Sequence, residues 1–334
     1  MSLLEQRYRS VLRLLPASYR AEREEEMVSA FTEMSGEVPD EVNPRPRWGE
    51  IASVLALSVR VRLGGVGATP RAFAWGRAVR LLALLGLAHQ SMYATSELIG
   101  LAHQFTRGTD HQLTAGQPLS FERLMSIAVL AATVCSAVAF AAIVRGHVRW
   151  AKVTALLGAA PMVVYFVVPM VLAGYSGDGP LTEATRLALV LLPLAALLAG
   201  FHSDFEPTRG PWTLALAPAA AGLALLGWPG AALALGLRDP EWIYMWLDLG
   251  MVVAAWAVGA TVVLARRRSA SWALALSAAG LLLLAARLPA LTNLPAGVEW
   301  AAVCVQCALL GTLSAALAAT GLGRLPAVRS APGP

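Results

Sequence analysis

The chain has 334 residues, 57% of them hydrophobic and only 14% charged. Soluble domains hold about 45–50% apolar and about 25% charged residues, so the composition excludes an ordinary soluble fold. The formal net charge is +5, and Lys152 is the one lysine among 26 basic residues. That bias fits GC-rich codon usage and does not point to nucleic-acid chemistry.

Residues 1–63 differ from the rest. Leu4, Tyr8, Val11, Leu12 and Leu15 recur at helical spacing with Arg7, Arg9 and Arg13 between them. Pro16 ends that helix. Ser18 is the expected N-cap of a second helix, whose face carries Tyr19, Arg23, Met27, Phe31 and Met34. Glu22, Glu24, Glu25 and Glu26 form its acidic side. After the Asn43-Pro-Arg-Pro46 break, a third helix is expected from Trp48 to Leu63, with Trp48, Ile51, Leu55 and Val59 as its core stripe. Gly64-Gly-Val-Gly67 then reads as a flexible connection, part of a linker over 64–77.

Residues 78–322 read as a bundle of about eight membrane spans. They fall near 78–104, 124–144, 153–174, 184–201, 212–236, 242–265, 269–288 and 299–322. The fourth is short and holds Pro193. The fifth carries Pro218 and Pro229, tolerated where neighbours satisfy the freed carbonyls. Basic residues cluster at Arg71, Arg77 and Arg80, at Arg145, Arg149 and Lys152, at Arg266, Arg267 and Arg268, and at Arg324 and Arg329 in the 323–334 tail. With eight spans all four clusters lie on one side, and the positive-inside rule then makes both termini cytoplasmic. The fold expected is thus all-α: a polytopic bundle in the plasma membrane with a small cytoplasmic three-helix domain ahead of it.

The first span repeats Leu-Ala-His-Gln at 87–90 and 101–104. The offset is nearly four helical turns, so His89, Tyr93, Ser96, Glu97, Gly100 and His103 or Gln104 share one polar stripe. Such a stripe avoids lipid and faces other helices or a wet cavity. It reads either as a ligand-responsive site or as a packing seam. Asp248 and Arg287 are expected at a depth similar to Glu97. A Glu97/Asp248–Arg287 cluster follows, because a buried charge is costly unless paired.

Chemistry-bearing motifs are few. The chain contains no Walker A sequence, no His-Glu-x-x-His and no Gly-x-Ser-x-Gly. Cys135, Cys304 and Cys307 lie in apolar stretches, and Cys304-Val-Gln-Cys307 lacks the second ligand pair of a structural zinc site. No catalytic residue, cofactor or metal is expected, and the arginine run 266–268 reads as a topogenic loop.

Leu14-Leu-Pro-Ala-Ser-Tyr-Arg-Ala-Glu-Arg-Glu-Glu-Glu-Met27, with the preceding Arg7-Tyr8 helix, resembles the helix-turn-helix-associated α-helical signalling (HAAS) domain. It is also similar to the related permease prefix domain of actinobacterial membrane proteins. The resemblance covers about the first fifth of the chain. The Leu-Gly-x-Pro turn of that pattern is replaced by Asn43-Pro-Arg-Pro-Arg-Trp48. It implies a cytoplasmic module that joins a membrane part to a transcription regulator, often PadR-like, or that accompanies a transport permease. The expected function is therefore a non-enzymatic membrane regulator or sensor with a partner on its acidic surface: a transcription regulator or a sigma factor. The alternative is a permease subunit served by a separate ATPase.

Overall fold

The computed structural model describes residues 2–36, 45–106, 120–172, 180–202, 209–234, 250–266, 269–293 and 297–326. Among them the chain is all helical, without a strand. Three helices come first: α1 (Leu3–Leu12), α2 (Ala17–Ser35) and α3 (Trp48–Arg62). The long helices α4 (Pro70–Thr106), α5 (Phe121–Val144), α6 (Val148–Leu172), α7 (Pro180–Gly200) and α8 (Trp212–Ala234) follow. The chain closes with α9 (Met251–Ala265), α10 (Ala270–Arg287), a single turn α11 (Ala290–Asn293) and α12 (Val298–Gly323). It divides into a unit holding Met1–Val79 and a unit holding Arg80–Leu198 and Glu206–Arg324.

In the first unit, Ser2 caps α1 by accepting from the Glu5 amide at 3.2 Å. Leu4, Tyr8, Leu12 and Leu15 are buried with Tyr19, Val28, Phe31, Val54 and Val61. The Tyr8 and Phe31 rings stack with centroids 3.9 Å apart. Ser18 does not cap α2; Pro16 holds that position without a side-chain bond, and its fixed φ suits the turn before a helix.

The face of α3 is rotated from the expected stripe. Trp48 is 85% exposed, and Leu55 and Val59 are exposed too, while Val54, Ser58 and Val61 point inward. The reason is a carbonyl. Leu14 O has no helical donor at the α1–α2 turn, and Ser58 Oγ donates to it at 2.6 Å with Arg62 Nη2 at 3.0 Å. Ser58 Oγ satisfies this carbonyl from the buried side of α3, which sets Ser58 rather than Leu55 against the α1–α2 turn.

The glycines after α3 form an ordered turn rather than a slack connection. Gly64 has φ +88°, and the Gly65 amide donates to Arg60 O at 2.8 Å, a 6→1 bond that closes the helix end. A Cβ at Gly64 would come within 3.1 Å of Phe73, and one at Gly67 within 3.2 Å of Tyr19.

In the second unit, among the described residues, five stretches are long and apolar enough to cross a bilayer: Arg123–Val144, Val148–Val167, Leu181–Gly200, Ala270–Thr292 and Glu299–Gly323. Shorter apolar helices run over Trp212–Ala224 and Val252–Ala265. These helices make the chain a membrane protein. Two tethers collect helix ends. Arg145 Nη1 donates to Gly210 O at 2.8 Å and its guanidinium lies 4.7 Å from the Trp212 ring. Lys152 Nζ donates to Leu198 O at 3.2 Å. The C-termini of α5 and α7 therefore meet the N-termini of α8 and α6. A cation at a helix C-terminus is favourable because the last carbonyls carry partial negative charge.

Helices α9, α10 and α12 pack into a dense trio. Trp256 Nε1 donates to Leu276 O at 2.9 Å, and Ser277 Oγ to Ser314 O at 2.9 Å. Gly280 allows this approach, since a Cβ there would overlap the Trp256 ring and Ser314 Oγ. Small residues and polar bonds are how helices associate in lipid, where apolar surface alone gives no drive.

Candidate functional site

The polar stripe of α4 does not act as one surface. Ser96 Oγ lies 3.3 Å from Gly222 O on α8. The two helices touch there because a Cβ at Gly222 would fall 2.6 Å from Met92 O. This part of the stripe is a packing seam. Glu97 is exposed, whereas Arg287 is buried. His89 and Tyr93 stay together, their ring centroids 4.9 Å apart and tilted by 58°. The side chains of His103 and Gln104, and Asp248 altogether, lie outside the described residues.

Arg287, the last residue of α10, is buried at 7% exposure. Its Nε donates to Gln306 Oε1 at 2.8 Å, joining α10 to α12. Gln306 is 3% exposed. An amide carries no charge signal in the sequence, yet Gln306, 19 residues on in α12, supplies an acceptor. Cys304 and Cys307 are both half-buried thiols near this pair. Among the described residues no group of three His, Cys, Asp or Glu side chains could hold a metal.

His89 stands instead on the wall of a cavity of about 520 Å³ between α4, α7, α9 and α10. Leu85 and Gly86 of α4, Pro193 of α7, Gly259 of α9 and Leu283 of α10 are among its other walls. Trp256 also faces it, but the indole N–H is already committed to Leu276 O, so the ring offers only its apolar face. Among the described residues His89 is the one titratable side chain on the wall. The chamber owes its shape to a broken helix. Pro193 removes one bond from α7, and its ring sits against Gly86, where any Cβ would overlap it.

In the first unit the acidic side of α2 is partly engaged. Arg9 bonds Glu25 at 2.7 Å and Glu5 at 3.1 Å, with Glu24 at 3.7 Å. The Arg9 guanidinium holds the Glu25 carboxyl below its ordinary value. Glu22 and Glu26 remain exposed. The unexpected surface is on α3, where Trp48, Ala52, Leu55 and Val59 follow helical spacing on the exposed side. Periodicity reads Trp48, Ile51, Leu55 and Val59 as core; Ile51 is half-buried, and the other three are exposed. Only the Ser58–Leu14 bond shows that this stripe faces outward.

Compared with protein-family models, with curated proteins and with solved structures, the chain gives no match in any of the three.

Proposed function

We propose that this chain is a non-enzymatic membrane regulator. Its N-terminal unit binds a partner protein in the cytoplasm, and its helix bundle carries the responsive part. In this reading the bundle has eight spans, both termini are cytoplasmic, and the partner is a transcription regulator or sigma factor.

The observation that carries the reading is the uncovered stripe on α3. A unit with a small core gains stability from every apolar residue it buries, yet this one turns Trp48 and Leu55 outward, at 85% and 54% exposure. Exposed apolar surface of this kind marks contact sites, and tryptophan is enriched among the residues that dominate binding energy. Glu22 and Glu26 offer a polar border for a basic partner. The resemblance of residues 7–27 to HAAS domains points the same way.

A photo-crosslinking amino acid placed at Leu55 of the full-length chain, in producing cells, tests this. The expected product is one discrete adduct with a regulator-type protein, absent when the probe stands at Glu33 on exposed α2. An adduct with an ATPase subunit would select the transport alternative. Adducts to lipid alone would overturn the partner reading.

A further inference from the structure

We infer that the chamber at His89 is a binding site for a molecule with one long hydrocarbon chain and a hydrogen-bonding head, carboxyl or hydroxyl, with the head at His89. The inference does not depend on the regulatory reading, since a loaded chamber would serve a regulator or a transport subunit alike.

Three observations carry it. The first is size. Ligand pockets run from about 300 to about 1,000 Å³, and this chamber measures about 520 Å³. The space is neither enclosed nor flat, so an occupant can enter it from outside the bundle. The second is lining chemistry. The lining is aliphatic apart from the His89 imidazole and the Trp256 and Trp272 indoles, which suits an apolar occupant better than a cluster of waters, each needing several polar partners. An apolar chain matches the walls, and a polar head matches the His89 imidazole, the one titratable group among the described lining residues. The third is how the room is made. Gly259 lines the chamber, and a Cβ at that position would meet nothing within 4 Å. Glycine in a helix interior costs about 0.8–1.0 kcal/mol against alanine. At Gly86 the neighbouring Pro193 ring forbids a side chain; at Gly259 no neighbour does. The absent side chain at Gly259 leaves room for something other than the protein.

The occupant is a lipid-derived chain rather than a peptide. The chamber sits among apolar helices, and its wall has no row of donors and acceptors to satisfy a backbone.

The test is photo-labelling of the full chain in mild detergent with a diazirine-bearing palmitic acid, mapped by mass spectrometry. Label is expected on chamber residues of α4, α9 and α10, competed by unlabelled palmitic acid and by hexadecanol. Gly259→Leu should fill the space and cut that label at least tenfold. Its melting temperature should not fall, because leucine is the better helix former. Val258→Leu, on the adjacent exposed position, should label as the parent does. His89→Leu should weaken competition by the acid about tenfold, the worth of one hydrogen bond to a charged group. Uncompeted label spread over exposed positions such as Val258 and Leu281 would overturn the site. So would undiminished chamber label in Gly259→Leu. Unchanged competition in His89→Leu would overturn the placement of the head.

Discussion

Gln90 Nε2 donates to Leu189 O at 3.3 Å, and Leu189 is the residue whose carbonyl Pro193, four positions on and lacking an N–H, leaves without its helical donor. A side chain of α4 thus repairs the break in α7. The same proline packs on Gly86 one turn away on α4, so the two helices are fixed to each other at the chamber's edge.

This predicts coupling. Gln90→Leu should lower stability in detergent by about 1 kcal/mol, since a carbonyl in lipid surroundings loses its donor. In a Pro193→Ala background the helix supplies its own N–H, and the same change should cost markedly less. A double-mutant cycle of melting transitions reads the difference. Equal costs in both backgrounds would separate Gln90 from the proline break.

The N-terminal core makes a contrast between two apolar residues. Phe31 is 2% exposed and stacked on Tyr8, so Phe31→Ala should cost about 3–5 kcal/mol and unfold so small a unit. Leu55→Ser should change stability by no more than about 0.5 kcal/mol, because it is an exposed position. Hydrogen exchange of the α3 amides in the full chain distinguishes the two. Strong destabilisation by Leu55→Ser would restore the stripe to the core.

The Arg9–Glu25 contact sets a pH dependence. The hydrogen bond from Arg9 lowers the Glu25 pKa. A carboxyl lowered in the folded state binds its proton more weakly than in the unfolded chain. Its contribution is therefore complete above the ordinary glutamate value of about 4.3 and is lost as pH falls through the lowered one. The N-terminal unit should loosen on acidification below that range. Arg9→Gln should remove this part of the acid sensitivity, as followed by exchange of the α1 amides across the titration.

Much of the fold is legible in the residues, and the failures have physical causes. The α1 face of Leu4, Tyr8, Leu12 and Leu15 follows from periodicity, because that helix has one buried side and its neighbours are charged. The α3 face does not, because the deciding force is the Leu14 carbonyl, a backbone group with no signature in the side-chain pattern. Arg287 is legible as buried, since a lone arginine in an apolar run has few other fates. Its bond to Gln306 is not, because an uncharged amide looks like any polar residue of a span. The chamber is the least legible feature. A cavity is made by residues that are missing bulk, and Gly86 and Gly259 read in sequence only as helix glycines.

The proposed partner contact requires that the chain act through the exposed stripe of α3. The direct measurement is the transcript profile of cells carrying Leu55→Asp in place of the parent chain, with both present in the membrane at equal amounts. The account predicts that Leu55→Asp shifts the same genes as complete removal of the chain, while Glu33→Lys, also exposed but off the stripe, leaves them unchanged. A Leu55→Asp profile identical to that of the parent would contradict it.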